Sequence, residues 1–305
     1  MAQGYIQAKK SRLTFYRNIP LYYQPKGEKI VLYKPSGKTI EEMRIEKGLI
    51  PDKLYIKQEY KIKGIQEVQR LFNRQLKQDI SLKKPEKIKE TLINIMKETL
   101  AEPRSGSLEG VSETINILVR EYSKESDVIK NLLSVSTKDY STAIHSINVM
   151  TFALTYASYT DCSLPEKKVL GLSALLHDVG KTKIDSRLLN APRKLTDEEF
   201  RIMKRHTILG YNILNECNFG NKEIAVTALQ HHEKLDGSGY PNGRTFISEV
   251  AQIIGFIDCY EALTNDDRPY RDAMDPFRCL NVIKKDVEAG KFSRSIFEKF
   301  VYSLL

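Results

Sequence analysis

Histidine is scarce in this chain of 305 residues, and its five copies, His145, His177, His206, His231 and His232, all fall between positions 145 and 232. His177 precedes Asp178, and the pair His231-His232 precedes Glu233. Neutral imidazole nitrogens, together with a carboxylate able to bridge two cations, suit iron, manganese or zinc better than magnesium or calcium. The four cysteines, Cys162, Cys217, Cys259 and Cys279, have no paired spacing. That argues against a disulfide framework and a thiolate zinc site, and leads us to expect a reducing, cytoplasmic setting.

Ligands so far apart in sequence must be delivered by separate elements. Around His145 the apolar positions Ile144, Ile147 and Val149 to Phe152 predict a helix with the histidine at the edge of its buried face. Leu170 to Gly180 reads as a buried helix whose last turn carries His177 and Asp178, a rigid way to hold adjacent ligands. His206 and His231-His232 must converge from later helices. Asp236-Gly-Ser-Gly-Tyr-Pro241, with two glycines and a proline in six positions, has the composition of a tight loop.

The ordered series His145, His177-Asp178-Val-Gly-Lys181, His206 with Gly210, His231-His232-Glu-Lys-Leu-Asp-Gly-Ser-Gly-Tyr-Pro241, Asp258, and Ala262-Leu-Thr through Arg268-Pro-Tyr resembles the HD-GYP family, a branch of the HD phosphohydrolase superfamily. The likeness runs from about Asp127 to Leu305. It implies a mainly α fold, with an all-helical domain over 126–305, and hydrolysis of cyclic di-GMP to the linear dinucleotide pGpG, in some members on to GMP. It also implies a centre of two divalent metal ions, iron first and manganese as the alternative. By this likeness His145, His177, Asp178 and Asp258 are ligands of one ion. His206, His231 and His232 are ligands of the other, with Asp178 bridging.

The same resemblance turns Lys181 towards phosphate and assigns Tyr240, Arg268 and Arg271 to substrate. Three departures from the family pattern stand out. Members with three metals carry Glu where this chain has Ser141, which favours two ions. Glu261-Ala-Leu-Thr replaces Asp-Ala-Leu-Thr, and Asn265-Asp266-Asp267 lengthens the approach to Arg268 by one residue. Arg271 stands where Lys is common. A catalytically weak protein acting as a cyclic dinucleotide sensor or scaffold is the competing expectation, and a mixed cyclic dinucleotide is the competing substrate.

Phosphodiesters repel nucleophiles through their anionic oxygens, so hydrolysis needs a strong nucleophile at neutral pH and charge neutralisation at phosphorus. Two cations about 3.5 to 4 Å apart supply both. Lys181 with Arg268 or Arg271 would add charge-assisted hydrogen bonds. Water or Lys181 would protonate the leaving oxygen.

The N-terminal part carries none of this chemistry. Residues 1–65 alternate aromatic and β-branched runs (Asn18 to Tyr23, Lys29 to Lys34, Leu54 to Ile62) with turn residues, and a short helix is expected over Thr39 to Lys47, ended by Gly48. This predicts a small α+β module. Residues 66–125 place Val68, Leu71, Phe72, Leu76 and Ile80 at helical spacing, break at Pro85 and read as a helical connector that contributes nothing to the chemistry. The net charge of +9 lies wholly in this half, which argues against a nucleic-acid polymer as the partner of the metal domain. Protein partners are expected, if any, through the Gly-Tyr-Pro loop or the basic module, and a homodimer is allowed. No run of about 18 uncharged apolar residues predicts a membrane span.

Overall fold

The computed structural model describes residues 4–26, 28–104, 106–122, 132, 141–265 and 274–305. The expected substrate contacts Arg268 and Arg271 lie outside them. The chain divides into two compact units, residues 1–75 and 76–305.

The first unit is a four-stranded antiparallel sheet in the order β1, β4, β2, β3, from β1 (Tyr5–Gln7), β2 (Leu21–Tyr23), β3 (Val31–Lys34) and β4 (Tyr55–Lys57). Helix α1 (Ile40–Lys47) starts at a capping box, in which Thr39 and Glu42 exchange side-chain and backbone hydrogen bonds. Gly48, at φ 74°, ends it. Tyr16, Leu21, Tyr33, Met43 and Ile56 fill the core. The Lys34 ammonium is fully buried there and donates to the carbonyls of Arg17, Pro35 and Lys38 at 3.0, 3.1 and 2.9 Å. These bonds meet the requirement that a buried charge be hydrogen-bonded. The expected strand over Leu54 to Ile62 is shorter than its apolar run, because α2 (Lys61–Ser81) begins inside it. Ile65 and Val68 are buried at helical spacing, and the Glu67 carboxylate accepts from the backbone N–H groups of Arg17 and Asn18.

The second unit is helical: α3 (Pro85–Leu100), α4 (Val111–Tyr122), α5 (Thr142–Tyr159), α6 (Leu164–Leu176), α7 (Ser186–Leu189), α8 (Asp197–Lys204), α9 (His206–Asn215), α10 (Glu223–Gln230), α11 (Glu249–Thr264), α12 (Pro276–Glu288) and α13 (Arg294–Ser303). Among the described residues, no helix is long and apolar enough to cross a membrane. At the centre, α5 and α6 lie against each other and are buried along most of their length. Behind them Phe300 of α13 meets Tyr260 and Phe256 of α11 at ring-centroid distances of 4.9 and 5.2 Å, and Phe152 of α5 meets Tyr260 at 5.3 Å. This aromatic cluster fixes α11 against α5.

Helices α3 and α4, which the sequence reads as connector, contact α5 and α6 respectively. Ile88, Leu92, Ile95, Met96 and Thr99 form a buried stripe on α3, and Val111, Ile115 and Leu118 form one on α4. Burying a Val, Leu, Ile or Met side chain contributes about 1.5 to 3 kcal/mol, so the apolar members of these stripes together match or exceed the net stability of a typical domain, about 5 to 15 kcal/mol. A chain beginning at Lys61 is therefore expected to melt cooperatively, whereas one beginning at Arg120 should lose its cooperative transition by circular dichroism. An unchanged transition in the shorter chain would mean that α3 and α4 are accessory.

Candidate metal centre and cleft

Six elements deliver the chemistry-bearing side chains. Helix α5 carries His145 one turn from its N-terminus, where the Ser141 hydroxyl accepts from the Ile144 N–H. His177 and Asp178 follow the last turn of α6, and a 3-10 turn over Val179–Lys183 carries Lys181. His206 opens α9, His231 and His232 follow α10, and Asp258 lies within α11. Their convergence depends on two glycines. A Cβ at Gly180 would overlap the carbonyl oxygen of His206 and lie 2.5 Å from the Gly210 nitrogen, and one at Gly255 would overlap the carbonyl oxygen of His231. Only a hydrogen at these positions lets the backbones approach so closely.

One potential ligand atom from each of Asp178, His206, His231 and His232 lies within 4.8 Å of the others, and the same holds for His145, His177 and Asp178. Asp178 is common to both groups. A third set, His177, His231 and Asp258, meets the same distance limit. Asp258 Oδ1 lies 2.9 Å from His145 Nε2, while its Oδ2 lies 3.8 Å from His232 Nδ1, so this carboxylate reaches towards both groups. All seven side chains expected as ligands are therefore brought together.

Ring orientations suit metal binding. His177 Nδ1 donates to the Ala174 carbonyl at 2.7 Å, His206 Nδ1 to Met203 at 2.7 Å and His231 Nδ1 to Ala228 at 3.0 Å. Each bond leaves Nε2 as the lone-pair nitrogen facing the cluster. Burial pushes His206 and His232 down from the ordinary histidine range, and pushes His231 down to about 3. They stand as neutral imidazoles, the form a cation requires. For Asp178, burial alone would raise the carboxyl, but the Lys181 ammonium and the neighbouring His177 overcome it and hold the group well below the usual carboxylate range. Burial likewise opposes ionisation of Asp258, and the hydrogen bond and charge of His145 outweigh it. Asp178 Oδ1 is buried and lacks a hydrogen-bond partner, with His206 Nε2 at 3.3 Å and His231 Nε2 at 3.8 Å. An ionised oxygen left this way costs several kcal/mol unless a cation meets it. The donor set fits divalent metal binding.

His145 differs from the other histidines. Its Nδ1 lies 2.5 Å from Glu261 Oε2, and Glu261 also accepts from the side-chain amides of Asn148 at 2.9 Å and Asn265 at 2.7 Å. Burial would depress the imidazole, but the carboxylates of Glu261 and Asp258 outweigh it and push it up to about 9. By sequence alone Glu261 is only a departure from a motif, yet it sits three positions after Asp258, so both face the same side of α11. That spacing was the available signal. Glu233 was also missed: its carboxylate accepts from the N–H groups of Asn242 at 2.8 Å and Arg244 at 3.0 Å, tethering the loop that carries Tyr240.

Tyr240 packs on His232, with ring centroids 4.6 Å apart, and its N–H donates to the His232 carbonyl at 3.1 Å. It lines a cleft of about 720 Å³ together with His145, Lys181, His206, His232 and Asp258. That volume lies within the range of small-molecule sites, about 300 to 1,000 Å³. Lys181 donates to Asp178 Oδ2 from the cleft wall.

A helical unit that gathers histidines and aspartates around an adjacent His-Asp pair defines a metal-binding domain of the HD type. The chain belongs to the HD domain family, which matches residues 125–296. Its relatives include the cyclic di-GMP phosphodiesterase PA4108 of Pseudomonas aeruginosa, 31% identical over 193 residues that cover 62% of this chain and 46% of that protein. The 3'3'-cGAMP-specific phosphodiesterase 1 of Vibrio cholerae is 32% identical over 169 residues, 55% of this chain and 39% of that protein. The response regulator RpfG of Xanthomonas campestris, also a cyclic di-GMP phosphodiesterase, is 40% identical over 111 residues, 35% and 29% of the two chains. The matches thus span less than half the length of these relatives. Among solved structures, Bd1817 of Bdellovibrio bacteriovorus, an HDG"Y"P protein, shares the fold with a TM-score of 0.63 at 16% identity, over 97% of this chain and 98% of that one.

Proposed function

We propose that this protein is a metal-dependent phosphodiesterase that hydrolyses cyclic di-GMP to pGpG, or on to GMP, with two divalent cations, iron or else manganese. The observation that carries this reading is the convergence of two ligand groups on Asp178, whose Oδ1 is buried without a hydrogen-bond partner beside an open cleft. His145, His177, Asp178 and Asp258 would hold one cation, and His206, His231 and His232 the other, with Asp178 bridging. When bound, the cations would supply an activated water and neutralise charge on phosphate oxygens.

The remaining roles fall to this chain's own groups. Lys181, in contact with Asp178, would turn its ammonium to the phosphate under attack. Tyr240, held against His232 and tethered through Glu233, would position a base or donate a hydrogen bond. Arg268 and Arg271 are proposed to meet substrate phosphate. Water or Lys181 would protonate the leaving 3′ oxygen. A basic N-terminal module suits a docking or regulatory role in a cytoplasmic signalling protein.

A second reading, a mixed cyclic dinucleotide as substrate, draws support from the three Vibrio cholerae relatives named as 3'3'-cGAMP-specific phosphodiesterases, at 32% to 36% identity. Anaerobically purified, metal-loaded protein incubated with each dinucleotide, followed by chromatography, separates the two. Rapid release of pGpG supports the first reading. Binding without product would make the protein a sensor or scaffold. Metal analysis should give about two ions per chain. Ser141, engaged as the helix cap of α5, offers no carboxylate, so a third ion at full occupancy beside it would overturn this count.

A further inference from the structure

We infer that Lys97, on a helix preceding the HD family match, is a substrate-binding residue that takes the second phosphate of a cyclic dinucleotide. This rests on the proposed phosphodiesterase reading and extends it to a part of the chain that the family match, residues 125–296, does not cover.

The buried stripe of α3 holds that helix against α5 and leaves another face outward. Lys97, Leu100 and Ala101 share this second face at spacings of three and four, and all three line the cleft together with His145, Lys181 and Tyr240. Lys97 is exposed within the cleft wall, as a group waiting for a solvated anion should be. Among the described residues, Lys97 and Lys181 are the lysine or arginine side chains that line the cleft, and Lys181 is engaged with Asp178.

A cyclic dinucleotide carries two phosphodiesters on one ring. The phosphate being cleaved would lie at the metal ligands, with Lys181 beside it. The other, held away from them by the ring, remains anionic and loses hydration as the ligand enters. A further cation lining the same cleft compensates it. A lysine ammonium suits this task, because it meets phosphate as a point charge and tolerates some variation in approach.

The test uses the full-length, metal-loaded protein and steady-state hydrolysis of cyclic di-GMP. Lys97→Ala should raise KM about ten- to a hundredfold, the usual effect of losing a hydrogen bond to a charged group. Lys97→Glu should raise it further, and Lys97→Arg should restore it to within a few-fold of the wild type, all at wild-type metal content. This ordering by charge is not expected of a merely structural surface residue. Equal KM in the wild type and Lys97→Ala, with active wild-type enzyme, overturns the assignment of Lys97 and leaves the phosphodiesterase reading intact. A wild type that neither binds nor cleaves a cyclic dinucleotide overturns that reading and this inference with it.

Discussion

Replacing Asp178 with Ala or Asn should abolish metal binding and turnover together, while Lys181→Ala should keep the metal and lose most of its turnover. Asp178 is common to the two main ligand groups, and its pKa is held well below the ordinary carboxylate range. Losing a group that merely orients a ligand already costs about ten- to a hundredfold in metal affinity or activity, so losing the shared ligand should cost more. Asn keeps the shape but not the charge, which separates packing from ligation. Lys181 reaches the cleft from the 3-10 turn; in the proposed role it would contribute charge to the phosphate, and such a donor is worth about 10² to 10³ in kcat. Metal analysis beside cyclic di-GMP turnover decides both. Two ions in Asp178→Asn would remove the bridging role, and wild-type turnover in Lys181→Ala would remove the lysine from the chemistry.

The second large effect is expected where no side chain exists. Gly180→Ala drives a methyl group into the His206 carbonyl and towards the Gly210 nitrogen, and Gly255→Ala does the same to the His231 carbonyl. Overpacking usually costs about 1 to 3 kcal/mol because neighbouring side chains can move. Here the obstacles are backbone atoms on α9 and at the end of α10, so the cost should reach the top of that range or beyond. For a unit of this size, that lowers the melting temperature by about 6 to 12 °C. The displaced segments carry His206 and His231, so metal retention should fall as well. Gly64→Ala, whose Cβ would first meet the Tyr16 side chain, at 3.2 Å, rather than backbone, is the control and should cost less than either. Equal melting temperatures for Gly180→Ala and the wild type would mean that the close approach is not needed.

The clustered histidines were legible because histidine is rare here and each copy lies in or beside an apolar helix. Their convergence could be read from the family resemblance alone, since periodicity says which face of a helix is buried but not what it is buried against. The same limit explains α3 and α4. Ile88, Leu92 and Ile95 announce an amphipathic helix, yet nothing local distinguishes a connector from a wall of the cleft. Glu261 was hidden for another reason: as a substitution in a motif it looked like a loss, whereas the longer carboxylate reaches His145 Nδ1 and binds two asparagine amides. The run from Leu54 to Ile62 favoured a strand by composition, and burial of Ile65 and Val68 on α2 decided for an early helix.

Because His145 and Asp258 sit within helices rather than on loops, their aim is an angular matter. An α-helix turns about 100° for every residue. Inserting one residue between Ser248 and Asp258 would rotate the carboxylate away from His145 by more than a quarter turn, while the same insertion in the segment between α7 and α8 would change no ligand's bearing. The tolerance of this domain to changes in length is therefore set by helical phase. Insertions and deletions should accumulate between the helices that carry the ligands and be excluded from the stretches between each helix start and its ligand.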